Sequence, residues 1–272
     1  MHLKRWLTAI VALPILIYLI GFSPRWVLYL FVFLFSLTGF NEFYRLTAPT
    51  LPLFLKTVTG LLVLTLFGVM YSGNVLVLMG IISLIIIVPM LYFLFLAPLN
   101  SEKYLSEIGM IAVGFIYVCL PLTMLVHIVD RFYFPQHPVR GIWIFFLMVV
   151  TFANDTGAFY SGRFFGKHKL YELVSPKKTW EGSIGGLISA FIVAIIFLKI
   201  FRIHPVDLPV ILLILLLSIA GQVGDLAESM LKRNYNVKDS GELLPGHGGV
   251  LDRIDSLLFA VPVLYIYLNL TI

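Results

Sequence analysis

Long apolar runs, broken at short polar intervals, set the pattern of this chain. The runs lie near residues 6–22, 26–42, 53–71, 74–97, 106–128, 141–160, 183–201, 208–227 and 256–271. A helix needs roughly 20 apolar residues to cross a hydrocarbon layer; the first two runs and the last are short, and the others approach or exceed that length. The pattern predicts about nine transmembrane helices in an all-α, polytopic integral membrane protein. Prolines at 14, 89 and 121 fall inside spans, where kinks are tolerated if neighbouring groups satisfy the freed carbonyls. The N-terminal MHLKRWLTAIVALPILIYLIGF has the basic and apolar regions of a signal peptide. No small-x-small cleavage site follows it, so it reads as a retained first helix.

Composition agrees with the pattern. Of 272 residues, 60% are hydrophobic and 12% charged, against about 25% charged in a soluble domain. A water-facing exterior cannot be built from so few. The net charge of +5 has no soluble basic domain behind it, so nucleic acid is excluded as a partner. Membrane orientation and anionic phosphate ligands explain the lysines and arginines better. Cys119 is the single cysteine, which rules out a disulfide framework or a Cys-based metal site within one chain.

Nine spans place the termini on opposite sides. Most of the nineteen lysines and arginines then fall on the side of the N-terminus, which assigns that side to the cytoplasm. A cell (inner) membrane location follows as the expectation, with the chemistry facing the cytoplasm. Two cytoplasmic segments stand out by length, 161–182 and 228–255. The chain divides into N-terminal transmembrane helices over 1–130, suited to a lipid cavity or subunit packing, and a C-terminal catalytic region over 131–272. A homodimer is compatible with this division.

Two stretches carry candidate chemistry. In ANDTGAFYSGRFFGKHKLYELVSPKKTWEGSIGG, Asp155 sits in an apolar helix, where an ionisable group is a functional candidate by default. Ser175, Lys177, Lys178 and Thr179 follow beside a helix start, and helix N-termini and ammonium groups suit phosphates. In GQVGDLAESMLKRNYNVKDSGELLPGHGGVLDRIDSLLF, Asp225, Ser229 and Lys232 share one helical face at i, i+4 and i+7. Asp252 and Asp255 share a face at i and i+3 if the last helix starts near Val250. Two helix ends then direct Asp225, Asp252 and Asp255 to a common point. An all-carboxylate set suits Mg²⁺, which keeps waters and takes substrate phosphates as further ligands. Arg253 points about 100° from Asp252 and is free for a phosphate. The glycines of PGHGG, Gly248 and Gly249 among them, let the backbone pass close to a ligand. His247 reads as a phosphate or loop contact rather than a base, because a phosphate nucleophile with a second pKa of about 6 is already ionised. The alternative for these charges is mutual pairing at helix ends.

Ser229-x-Leu231-Lys232-Arg233-x4-Lys238-Asp239-x-Gly241-x2-Leu244-Pro245-x-His247-Gly248-Gly249-Val250-x-Asp252-Arg253-Ile254-Asp255 resembles the signature of phosphatidate cytidylyltransferases (CDP-diacylglycerol synthases). The upstream NDTGAFYSGRFFGKHKL and SPKKTWEGSIGG resemble that family's second conserved block. The resemblance implies a reaction in which CTP and phosphatidate, in the bilayer, give CDP-diacylglycerol and pyrophosphate with Mg²⁺. On it, Asp225, Asp252 and Asp255 are the expected metal core, with Asp239 a weaker member. Lys232, Arg233, Lys238, His247 and Arg253 become candidate phosphate contacts. Asp155, Ser175, Lys177, Lys178 and Thr179 are further members of the same site. A second cation, K⁺ or another Mg²⁺, is expected if all these carboxylates cluster.

Two other readings compete. An ion-coupled transporter would place Asp155 and Asp225 mid-span in repeated, interrupted halves, and no such repeat is evident. A CDP-alcohol phosphatidyltransferase would carry DG-x2-AR-x8-G-x3-D-x3-D, which is absent.

Overall fold

Without water, a spanning segment must satisfy its backbone internally, and the described parts of the apolar runs are accordingly helical. The computed structural model describes residues 13–74, 77–96, 101–133, 137–241 and 248–272, with no side chains for 101–103. Among these, eight helices are long and apolar enough to cross a membrane. They are α1 (Arg25–Thr47), α2 (Leu53–Ser72), α3 (Leu78–Leu96) and α4, which joins Ser101–Gly114 and Leu120–Arg131 through a π-helical turn at Phe115–Cys119. Then follow α5 (Ile142–Phe165), α6 (Trp180–Phe201), α7 (Leu208–Asn234) and α8 (Leu251–Thr271). Residues 13–21 are also helical, and the beginning of the first expected span lies outside the described residues.

The expected spans match these helices in order, and the differences lie at the ends. Helix α7 runs on to Asn234 and α5 to Phe165, while α8 begins at Leu251. The apolar pattern stops where the hydrocarbon would, but the helices continue because their polar residues find partners. One such partnership is Lys232 with Glu228, one turn apart on α7. The cytoplasmic segment expected at 161–182 is also more ordered than a loop. It contains an antiparallel hairpin, β1 (Lys169–Tyr171) and β2 (Ser175–Thr179), pairing Lys169 with Thr179 and Tyr171 with Ser175.

The turn at Phe115–Cys119 lies just before Pro121, which lacks the N–H needed to continue a regular ladder. Thr179 caps α6 by accepting from Gly182 N–H at 3.1 Å, and Asp207 caps α7 by accepting from Val210 N–H at 3.1 Å. Helices α5 and α6 pack through small residues, as spans do when backbones must approach closely. A Cβ at Gly157 would stand 2.9 Å from the Gly185 carbonyl oxygen.

Alternating helix directions give the bundle two distinct ends. At one, Asp130 at the end of α4 accepts from Arg25 Nε at 2.6 Å and Tyr29 OH at 2.7 Å, and Arg140 Nη2 lies 3.4 Å away. At the other meet the ends of α1, α5 and α7, the hairpin, and the starts of α6 and α8. That second end holds the candidate chemistry of the sequence.

Candidate functional site

A cavity of about 370 Å³ opens between α5, β2, the start of α6 and the last turns of α7. Ligand sites in proteins run upward from about 300 Å³. Its polar wall is mixed in charge: Arg163, Lys177 and Lys178 face Asp155 and Asp225. Strand β2 brings both lysines to the cavity, and Lys178 Nζ reaches Asp225 Oδ2 at 2.6 Å. The floor is a buried amide network. Asn154 Oδ1 accepts from Ser218 Oγ at 2.6 Å and from Gln222 Nε2 at 2.8 Å. Gln222 Nε2 also donates to the Ser183 carbonyl at 3.1 Å, and Ser183 Oγ donates to Gln222 Oε1. This network joins α5, α6 and α7 beneath the charged groups.

Helices α7 and α8 touch at Gly224, where a Cβ would stand 2.5 Å from the Asp255 carbonyl oxygen. Only glycine permits that approach, and it brings the next residue, Asp225, beside Asp255. The Asp255 carboxylate interacts electrostatically with Asp225, Lys232 and Asp155, and accepts from its neighbour Ser256 N–H at 2.7 Å. Tyr117, in the π-helical turn, lies within the field of Glu228, Asp255 and Asp225. Its hydroxyl is buried without a hydrogen-bond partner among the described residues.

Asp252 belongs to a separate cluster. Its Oδ1 accepts from Lys232 Nζ at 2.7 Å. Its Oδ2 accepts from Ser240 N–H and Ser240 Oγ, each at 2.9 Å, and from Gly249 N–H at 2.8 Å. Lys232 also pairs with Glu228. Gly248 has φ +79°, and a Cβ there would stand 2.6 Å from Asp252 Oδ2. The space beside these glycines is therefore filled by the protein's own carboxylates.

Of the expected site residues, the fold brings Asp155, Lys177, Lys178, Thr179 and Asp225 to one cavity, and Asp255, outside its lining, interacts electrostatically with Asp225 and Asp155. Thr179 has its hydroxyl engaged as the α6 cap. Lys232 and Asp252 pair with each other, and Arg233 Nε meets the Val174 carbonyl at 3.5 Å. Lys238, Asp239 and Arg253 are exposed, whereas Ser175 and Ser229 are half-buried. His247 lies outside the described residues.

The expected convergence of Asp225, Asp252 and Asp255 takes a different form. Among the described residues, no three or more His, Cys, Asp or Glu side chains are grouped to hold one ion. Both oxygens of Asp252 are already engaged. Mg²⁺ is commonly bound through one or two carboxylates plus waters and phosphates, so the neighbours Asp225 and Asp255 suffice as a donor set. Glu42, Asn154, Gln222 and Glu228 escaped the sequence reading. Glu42, the last residue of the run 26–42, carried the signal applied to Asp155, an acidic residue in an apolar span, whereas Glu228 falls one residue beyond the run 208–227.

The geometry defines a polytopic helical membrane protein with a mixed-charge cavity toward one end of its helices. The chain belongs to the Cytidylyltransferase family, whose model matches residues 3–271. It is 42% identical over 168 residues to the phosphatidate cytidylyltransferase of Bacillus subtilis, covering 61% of this chain and 60% of that protein. It is 49% identical over 126 residues to that of Staphylococcus haemolyticus, covering 46% and 48%. With that of Haemophilus influenzae the identity is 47% over 135 residues, covering 48% and 47%. The chain thus spans 60%, 48% and 47% of the lengths of these relatives.

Proposed function

We propose that this protein transfers CMP from CTP to phosphatidate, giving CDP-diacylglycerol and pyrophosphate. The observation that carries the reading is the cavity. In a chain of the Cytidylyltransferase family, two lysines and an arginine face two aspartates beside an apolar helix bundle. A nucleotide enters from water there, while a lipid phosphate reaches the same level from the bilayer.

In the reaction, an ionised phosphate oxygen of phosphatidate attacks the α-phosphorus of CTP. The bond from that phosphorus to the oxygen bridging to the β-phosphate breaks, and its electron pair leaves with pyrophosphate. The nucleophile needs no general base above its second pKa of about 6. Lys177, Lys178 and Arg163 offset the charge of the triphosphate and the leaving group, a positional and electrostatic form of catalysis. Lys178 is held in place before substrate arrives by Asp225. Asp225 and Asp255 would hold Mg²⁺, which supplies Lewis-acid neutralisation of the phosphates. Asp252, expected to join them, has both oxygens engaged by Lys232, Ser240 and Gly249, which leaves fewer carboxylates for a second cation. The proposal is therefore made for Mg²⁺ alone.

In this reading residues 131–272 form the catalytic region. The N-terminus and the cavity end face the cytoplasm, in the cell membrane. Asp155, Asp225 and Asp255 all lie in the half of their helices nearest the cavity end, which favours a site served from one side over a transport pathway.

The test is transfer by the purified full chain in micelles containing phosphatidate. Label from [α-³²P]CTP should enter the lipid phase with Mg²⁺ and not with EDTA, while γ-label should appear as pyrophosphate. Absence of lipid label with Mg²⁺ present would overturn the reading.

A further inference from the structure

The residue before helix α8, Val250, offers no side-chain cap, yet the amides of Gly249, Val250 and Leu251 are taken. Gly249 N–H goes to Asp252, while Val250 and Leu251 N–H donate to Glu42 Oε1 and Oε2, each at 3.0 Å. Glu42 stands on α1, far away in sequence, and is only 4% exposed. The approach is built in from both sides. Gly39, one turn earlier on α1, faces the same place, since a Cβ there would stand 3.4 Å from the Leu251 side chain and 3.7 Å from that of Val250. A Cβ at Gly241 would stand 2.5 Å from Glu42 Oε1, and one at Gly249 would stand 2.6 Å from Oε2. Ser240 Oγ joins the two carboxylates, 3.4 Å from Glu42 Oε2 and 2.9 Å from Asp252 Oδ2. The positive end of the α8 dipole and the paired donors make a buried carboxylate tolerable here. They also occupy a helix N-terminus that would otherwise suit phosphate.

We propose that Glu42 is a positioning residue for the transfer reaction. It clamps the Gly248–Leu251 turn to α1, so that α8 holds Asp255 beside Asp225 and Asp252 against Lys232 in one fixed geometry. The proposal rests on the transferase reading above. Glu42 is absent from the cavity wall, so its effect passes through the turn. Both of its oxygens face N–H donors, a requirement that only a carboxylate meets. Glutamine would turn an NH₂ toward one of the two amides. Aspartate keeps both oxygens but falls one methylene short.

The experiment compares wild type, Glu42→Gln and Glu42→Asp as full chains in micelles. Amide hydrogen exchange is followed over residues 248–255, alongside steady-state CMP transfer. Glu42→Gln should speed exchange at Val250 and Leu251 by roughly tenfold to a hundredfold, as charge-assisted bonds weaken. Its kcat should fall by a similar factor while KM for CTP moves by less than about threefold, because the cavity wall is untouched. Glu42→Asp should recover part of both effects, and it keeps the charge, so the test stays readable if Glu42→Gln does not fold. A purely structural glutamate predicts lower yield and melting temperature, with wild-type kcat in the protein that folds. That result, or unchanged exchange in folded variants, overturns the proposal. Exchange needs no substrate. Wild-type protein without CMP transfer would therefore refute the transferase reading, while the exchange data would still decide whether Glu42 holds the turn.

Discussion

Asp252 and Asp225 look alike in sequence, two aspartates in helices near the same charged loops, and the structure gives them opposite sensitivities. The Asp252 side chain is 6% exposed and takes four hydrogen bonds, three on one oxygen and the Lys232 ammonium on the other. In Asp252→Asn the one remaining oxygen can keep the three donors from Ser240 and Gly249. The new NH₂ then faces Lys232. A hydrogen bond to a charged group contributes about 1.5–3 kcal/mol, so one is lost outright and three lose their charge assistance. Lys232 keeps Glu228, which holds the cost near the lower edge of the roughly 3–5 kcal/mol for breaking a buried pair. A loss of about 3 kcal/mol corresponds to a melting temperature lower by roughly 6–12 °C for a chain of this size. Asp225, with its side chain 36% exposed, has one ion pair with Lys178. Such pairs are worth about 1 kcal/mol or less, so Asp225→Asn should melt close to wild type while losing CMP transfer. The assay is tryptophan fluorescence during heating in micelles at a single scan rate, with transfer measured on the same preparations. Asp252→Asn melting with wild type would refute the structural role of its four bonds. A comparable drop in Asp225→Asn would refute the division of labour.

Further outcomes follow from the same geometry. Gly224→Ala places a methyl 2.5 Å from the Asp255 carbonyl oxygen. It should separate α7 from α8 and reduce transfer at least about tenfold, whereas Gly68→Ala, with open space around its Cβ, should not. Lys178→Met, which keeps the stem and removes the charge, should raise KM for CTP and lower kcat together, by about tenfold or more in kcat/KM. Tyr117→Phe removes a hydroxyl that has no partner among the described residues. Stability should therefore hold, and any fall in kcat would show that the hydroxyl meets substrate or its bound water. At the far end of the bundle, Asp130→Ala leaves Arg25, Tyr29 and Arg140 without their shared acceptor. Melting should drop by several degrees while kcat of the folded protein stays at the wild-type value.

The helical class, the order of the spans and several residues of the candidate cavity can be read along the chain. Hydrocarbon imposes a length and an apolar composition on every crossing segment, and that constraint is local, so it can be read one stretch at a time. Asp155, Lys178 and Asp225 were legible for a related reason, since charges in or beside such segments are costly unless used. Helix ends were less legible. The continuation of α7 to Asn234 and the early start of α8 at Leu251 depend on partners elsewhere in the chain. Spacing along a helix grouped Asp225, Asp252 and Asp255, but spacing does not say what stands opposite. Tertiary structure alone decided that Asp252 turns to Lys232 and Ser240, that Asp225 turns to Lys178 on the cavity wall, and that Asp255 stands within the field of Asp225 and Asp155. It also decided that the start of α8 is closed by Glu42 from α1. Which donor meets which acceptor across two hundred residues depends on how the helices pack, and no local pattern in the chain encodes that meeting.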